Sequence, residues 1–135
     1  MKGKNNMRDL RYEKLANNLL TFSINIQPGE HILVEILGEE AIPLAKEIIK
    51  KAEELKARPQ FNIINYEILR EMLINADEEQ IKMYAKHDLE RMKDMDAYIG
   101  IRATPNTAEL NGIPEEKMNM YNKYYQKQVH FEERV

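Results

Sequence analysis

Three short apolar runs, Ile32-Leu33-Val34, Ile63-Ile64 and Tyr98-Ile99 with Ile101, are set apart from one another by whole stretches of helical periodicity. No other feature constrains the fold as strongly. Strands joined through helices cannot close as hairpins; they pair in parallel through right-handed crossovers. The first run lies in a strand over His31–Leu37 and is apolar at successive positions, as in a strand covered on both faces. The second strand is expected over residues 61–65, the third over Ala97–Arg102.

The intervening segments carry apolar residues at helical spacing. Over residues 9–26, Leu15, Leu19, Phe22 and Ile26 fall at i, i+4, i+7 and i+11, and Gln27-Pro28-Gly29-Glu30 ends the run. After Gly38 come Ala41, Leu44, Ala45, Ile48, Ile49, Ala52 and Leu55, the clearest helical stripe in the chain. Pro43 suits its first turn, where the missing N–H costs nothing, and Pro59 marks its exit. A short helix follows over 66–75 with Leu69, Met72 and Leu73. Asp77 reads as the next N-cap with Gln80 as its capping-box partner, ahead of Ile81, Tyr84, Ala85, Leu89 and Met92. Beyond a loop over 103–112, Pro114 opens a last helix carrying Met118, Tyr121, Tyr125 and Val129 on one face. The order α-β-α-β-α-α-β-α predicts an α/β fold: a three-layer sandwich of one mostly parallel three-stranded sheet, order 2-1-3, with helices on both faces. The switch point falls between strands one and three.

The 135 residues fit one domain. Hydrophobic residues at 43% and charged residues at 32% exclude disorder and a membrane-embedded chain. The longest apolar stretch, 32–37, is broken by Glu35 and cannot span a bilayer. The polar start, 1–7, is not a signal peptide, so the cytoplasm is the expected compartment. A net charge of −3 argues against a nucleic-acid partner. Without cysteine there is no disulfide, thiolate zinc site or cysteine nucleophile. Three strands leave two edges, and the chain runs out at Glu132-Glu133-Arg134-Val135 without a clear terminator. Both features lead us to expect that another chain or a second domain completes the unit.

Local chemistry is sparse. Gly38-Glu39-Glu40-Ala41 lacks the glycines of a dinucleotide loop, and its carboxylates repel phosphate at a helix start. His31 and Glu35 share a strand face but lack an evident third ligand; His87 and His130 match no metal-binding spacing. Ser23 has no nucleophile elbow around it. The acids between 71 and 96 mark a solvated helix face. Tyr121, Tyr124 and Tyr125, with Met118 and Met120, exceed what one core face requires; core packing uses some, and a partner surface uses the rest. Arg102-Ala103-Thr104-Pro105-Asn106-Thr107 follows strand three at the carboxyl edge, where open α/β sheets place ligands. The competing reading makes Asn106 and Thr107 turn caps.

Lys14-Leu15-Ala16, then Gln27-Pro28-Gly29-Glu30 leading into His31-Ile32-Leu33-Val34, resemble the opening of the metal-dependent aminopeptidases of the aminopeptidase T and aminopeptidase S type, a thermophilic family. The run Asp96-Ala97-Tyr98-Ile99-Gly100-Ile101-Arg102-Ala103, with Asn106 and Leu110, is similar to that family's third strand and following loop. The resemblance covers residues 9–128. It implies an N-terminal α/β domain of this size, here 1–135, followed in the family by a larger catalytic domain. That second domain holds two divalent ions, zinc or cobalt, on Glu, His, Tyr and Asp ligands and releases N-terminal amino acids from peptides. Those positions do not occur here, so no catalytic or metal-binding residue carries over and no cofactor is expected in this chain.

The leading expectation is a truncated or naturally short N-terminal domain. It would wall the active-site cavity through Arg102, Asn106 and Thr107, and dock through Tyr121, Tyr124 and Tyr125. Its partner would be the catalytic domain or a second copy of itself, as in the family's dimer. The alternative is a non-enzymatic α/β module binding a small ligand between Gly38 and Arg102. A nucleotide-binding enzyme is disfavoured by the missing glycine loop.

Overall fold

The computed structural model describes residues 10–102 and 112–125. In sequence order the elements are α1 (Leu10–Asn18), β1 (His31–Leu37), α2 (Ile42–Glu54), β2 (Arg58–Ile64), α3 (Tyr66–Asn75), α4 (Glu78–Lys93), β3 (Ala97–Arg102) and α5 (Glu115–Tyr121). The sheet is parallel with order β2-β1-β3, as the alternation of strand and helix requires. The registers run from His31 opposite Arg58 to Leu37 opposite Ile64, and from Ile32 opposite Ala97 to Leu37 opposite Arg102.

β1 is central, and five consecutive residues, Ile32 to Ile36, are buried. Its even positions, Ile32, Val34 and Ile36, pack in a core with Ala16 and Leu20 and with Ala45, Ile48 and Ala52 of α2. Its odd position Leu33 joins a second core of Leu69 and Leu73 of α3, Ile81, Ala85 and Met92 of α4, and Tyr121 and Tyr125. Each side chain such as Ile32 or Leu73, both 0% exposed, contributes about 1.5–3 kcal/mol by leaving water. The small alanines of α2 let its axis approach the sheet. Gly38 turns the chain out of β1 with φ +105, a conformation that side chains resist.

The helix starts follow their caps. Asn65 Oδ1 accepts from the Ile68 N–H at 3.1 Å, and Asp77 Oδ1 from the Gln80 N–H at 2.8 Å.

Two boundaries differ from expectation. β2 begins at Arg58, upstream of Pro59, instead of at residue 61. The Arg58 N–H donates inward to the Glu30 carbonyl at 2.7 Å. Pro59 therefore faces the open edge, where a missing N–H breaks no ladder bond. The exit of α2 is made instead by Lys56, at φ +67. The first helix also departs from its expected stripe. Leu15 is 43% and Phe22 79% exposed, while Ala16 and Leu20 are buried. A wide turn over Leu19–Ser23 replaces the helix end, with the Ile24 N–H reaching back to the Leu19 carbonyl. The Thr21 hydroxyl bonds the Asn17 carbonyl at 2.6 Å, side-chain competition of the kind that perturbs a helix ladder. Of the expected stripe, Ile26 alone is fully buried.

Candidate functional site

Three places could carry function: the carboxyl edge of the sheet, the polar cluster beneath α4, and the corner around Tyr124.

At the carboxyl edge, Leu37, Ile64 and Arg102 stand level across the three strands. Arg102 is exposed, as are Glu39 and Glu40 in the turn after β1. Asn65 follows β2, and its side chain is committed to capping α3. Asn106 and Thr107 lie outside the described residues, as does Val129 of the last helix. Among the described residues this edge carries the Arg102 guanidinium after β3 and the Glu39 and Glu40 carboxylates after β1.

The polar cluster centres on Glu35, which is 2% exposed in the middle of β1. A carboxylate there needs donors, because burying it unpaired is prohibitive. Its register neighbours are Asn62 on β2 and Gly100 on β3. Asn62 Nδ2 donates to Glu35 Oε2 at 3.3 Å. The Tyr98 hydroxyl donates to Glu35 Oε1 at 2.5 Å. Gly100 makes this second bond possible, since a Cβ there would stand 2.8 Å from the Tyr98 hydroxyl oxygen.

Above this group three tyrosines stack. Tyr84 lies against Tyr125 at 5.2 Å between ring centroids, and Tyr125 against Tyr121 at 5.2 Å and 8°. The Tyr125 hydroxyl donates to Asp88 Oδ2 at 2.5 Å. Burial pushes Tyr84 up to about 12 and raises Tyr121 and Tyr125 further, with the Glu35 charge opposing ionisation of all three. Glu35, Asp88, Arg91 and Tyr125 border a void of about 10 Å³, about the room of a single water. The cluster therefore ties β1, β2, β3, α4 and the segment after α5 together and leaves no space for a ligand.

Tyr121 is 3% and Tyr125 0% exposed, so these two pack inside this chain. Tyr124 points the other way and is half-buried. Its hydroxyl donates to Glu78 Oε2 at 2.6 Å. That bond, followed by the charge of Lys82, holds the Glu78 carboxyl below its ordinary range; the same bond raises Tyr124. Lys82 and Lys123 each stand 5.1 Å from the Tyr124 ring centroid. Lys117 Nζ donates to the Ala76 carbonyl at 2.6 Å, fastening α5 to the α3–α4 junction.

His31 and Glu35 do not form a metal pair: Glu35 is engaged by Tyr98 and Asn62, and among the described residues no three of His, Asp or Glu gather as metal ligands would. The donor set therefore does not fit a divalent ion. No helix among the described residues is long and apolar enough to cross a membrane. The role of Glu35 was missed from sequence because its donors lie 27 and 63 residues away; the available signal was a charge inside an otherwise apolar central strand.

The family model for the thermophilic metalloproteases, M29, matches residues 8–134. The chain belongs to the M29 family. Among solved structures, wild-type AmpT from Thermus thermophilus matches with a TM-score of 0.63 and 21% identity over 87% of this chain. At that identity the likeness establishes the fold. This chain spans 30% of the length of that AmpT chain. Comparison with curated proteins gives no match. The M29 assignment agrees with the resemblance carried by Gln27-Pro28-Gly29-Glu30 and by the β3 run from Asp96 to Arg102. The family's metal chemistry finds no ligand set among the described residues of this M29 chain.

Proposed function

We propose that these 135 residues act as the non-catalytic N-terminal domain of an M29 aminopeptidase. In the complete enzyme, a separate catalytic portion would hold the divalent ions, zinc or cobalt, and release N-terminal amino acids from peptides in the cytoplasm. This domain would wall the substrate cavity from the carboxyl edge of its sheet, through Arg102, Asn106 and Thr107. It would support assembly of the enzyme, including a dimer, and would present the corner at Tyr124, which Tyr121 and Tyr125 hold in place from the core, as a docking surface.

The observation that carries this reading is one of proportion. The family model covers nearly the whole chain, whereas the chain spans 30% of the AmpT structure. Hydrolysis by two cations requires ligands that hold them against water and the scissile carbonyl, and the described residues offer no such set.

The test is hydrolysis of leucine amide by the purified chain with added zinc or cobalt. The proposal expects a rate equal to that of the free metal. Turnover that needs both metal and protein, and that scales with protein concentration, overturns it.

A further inference from the structure

A groove of about 370 Å³ runs along α4 beside Tyr124, lined by Lys82, Ala85, Lys86, Leu89 and Tyr124. The four helical residues fall at i, i+3, i+4 and i+7, so they form one face. Ala85 is buried and Leu89 and Tyr124 are half-buried, which makes the floor apolar. Lys82 and Lys86 stand on the rim, and Lys123 flanks the Tyr124 ring.

Three lysines ring this floor, while Glu79 and Glu90 stand exposed farther round α4. Glu78 is already engaged by the Tyr124 hydroxyl and by Lys82, whose Nζ is 3.7 Å from its carboxylate. Among the described residues no carboxylate lies within ion-pair distance of Lys86 or Lys123. Three ammonium groups thus surround an apolar trough, with one satisfied carboxylate among them, on a chain whose net charge is −3. A nucleic-acid backbone would need a longer basic track and would not use the apolar floor. From Lys82 to Leu89 the groove is about 10 Å long at the helical rise, two turns of a facing helix.

We propose that this groove docks an acidic amphipathic helix of another polypeptide. Leucine-type side chains at i, i+3 or i+4 and i+7 of that helix fill the floor over Ala85 and Leu89. Glutamates on its flanks meet Lys82, Lys86 and Lys123. The inference does not rest on the peptidase-domain reading; it uses α4 and the Tyr124 corner alone, and the amide-hydrolysis test leaves it untouched.

Fluorescence anisotropy of the full chain tests it with two labelled helical peptides that share a leucine stripe. One peptide carries glutamate and the other lysine at every flanking position. The glutamate peptide should bind with an affinity that falls as salt rises, and the lysine peptide should not bind. Lys86→Glu, a change at an exposed position, should weaken the glutamate peptide about fivefold and gain affinity for the lysine peptide. Leu89→Ser should weaken binding by about tenfold. Equal binding of the two peptides, no binding of either, or indifference to Lys86→Glu overturns the proposal. So does concentration-dependent self-association that Leu89→Ser abolishes and the glutamate peptide does not compete, since the occupant is then a second copy.

Discussion

The Tyr98 hydroxyl lies 2.5 Å from Glu35 Oε1, joining β3 to the carboxylate buried in the middle of β1. The phenol reaches that oxygen by lying across Gly100, which is the residue opposite Glu35 in the ladder. Strand register and burial converge on this contact.

Tyr98→Phe removes the donor and leaves a buried carboxylate oxygen short of one partner. It should cost about 1–3 kcal/mol in urea unfolding. Gly100→Ala should also destabilise, because its methyl displaces the phenol. The two changes act on one bond, so the double variant should cost less than the sum of the single ones. Strict additivity would mean that Gly100 matters for another reason.

The caps of α3 and α4 give a second expectation. Asn65 and Asp77 each accept a bond from a backbone N–H that would otherwise lack a helical partner. Asn65→Ala and Asp77→Ala should each lower stability by about 1 kcal/mol, read as a shift of the urea midpoint with an unchanged slope.

Alkaline unfolding tests the tyrosine stack. Burial raises Tyr84 from 10.0 to about 12 in the folded chain. Above pH 10 the unfolded chain has released this proton while the folded chain keeps it. The unfolded state then binds fewer protons, so stability falls as pH rises. The contribution is complete below pH 10 and is lost between 10 and about 12. Tyr121 and Tyr125 are shifted in the same direction and extend the loss upward. Circular dichroism against pH should show a steep alkaline transition, shallower in Tyr84→Phe.

The Tyr124–Glu78 bond makes an opposite, acid-side prediction. Glu78 is depressed in the folded chain, first by the Tyr124 hydroxyl. Its contribution to stability is present above the ordinary carboxylate pKa and fades as pH falls through the folded value. Carboxyl NMR titration should show the Glu78 midpoint rising in Tyr124→Phe. An unchanged midpoint would mean that Lys82 and Lys123, and not the Tyr124 hydroxyl, set it.

The sheet was legible because its signals are local: Ile32-Leu33-Val34 between glycines, and helices long enough to force parallel crossovers. The caps at Asn65 and Asp77 are equally local, and of these the sequence reading finds Asp77; the structure shows its carboxylate accepting from the Gln80 backbone N–H. The face of α1 was not legible. Ala16 carries little hydrophobic signal, yet it and Leu20 meet α2, while the larger Leu15 and Phe22 stay exposed. The start of β2 was obscured by Pro59, a residue that breaks a central strand but is tolerated on an outer edge. The Glu35 cluster depends on register between distant strands, which no local pattern encodes. Tyr121, Tyr124 and Tyr125 stand out in the sequence as a group; only packing separates the two core rings from the one at the groove.

The central claim is that the metal chemistry of the M29 family is housed outside these 135 residues. Equilibrium dialysis of the purified chain against zinc, read by elemental analysis, tests it most directly. The account predicts no stoichiometric retention. One or two equivalents held tightly by the folded chain, and released on unfolding, would contradict it.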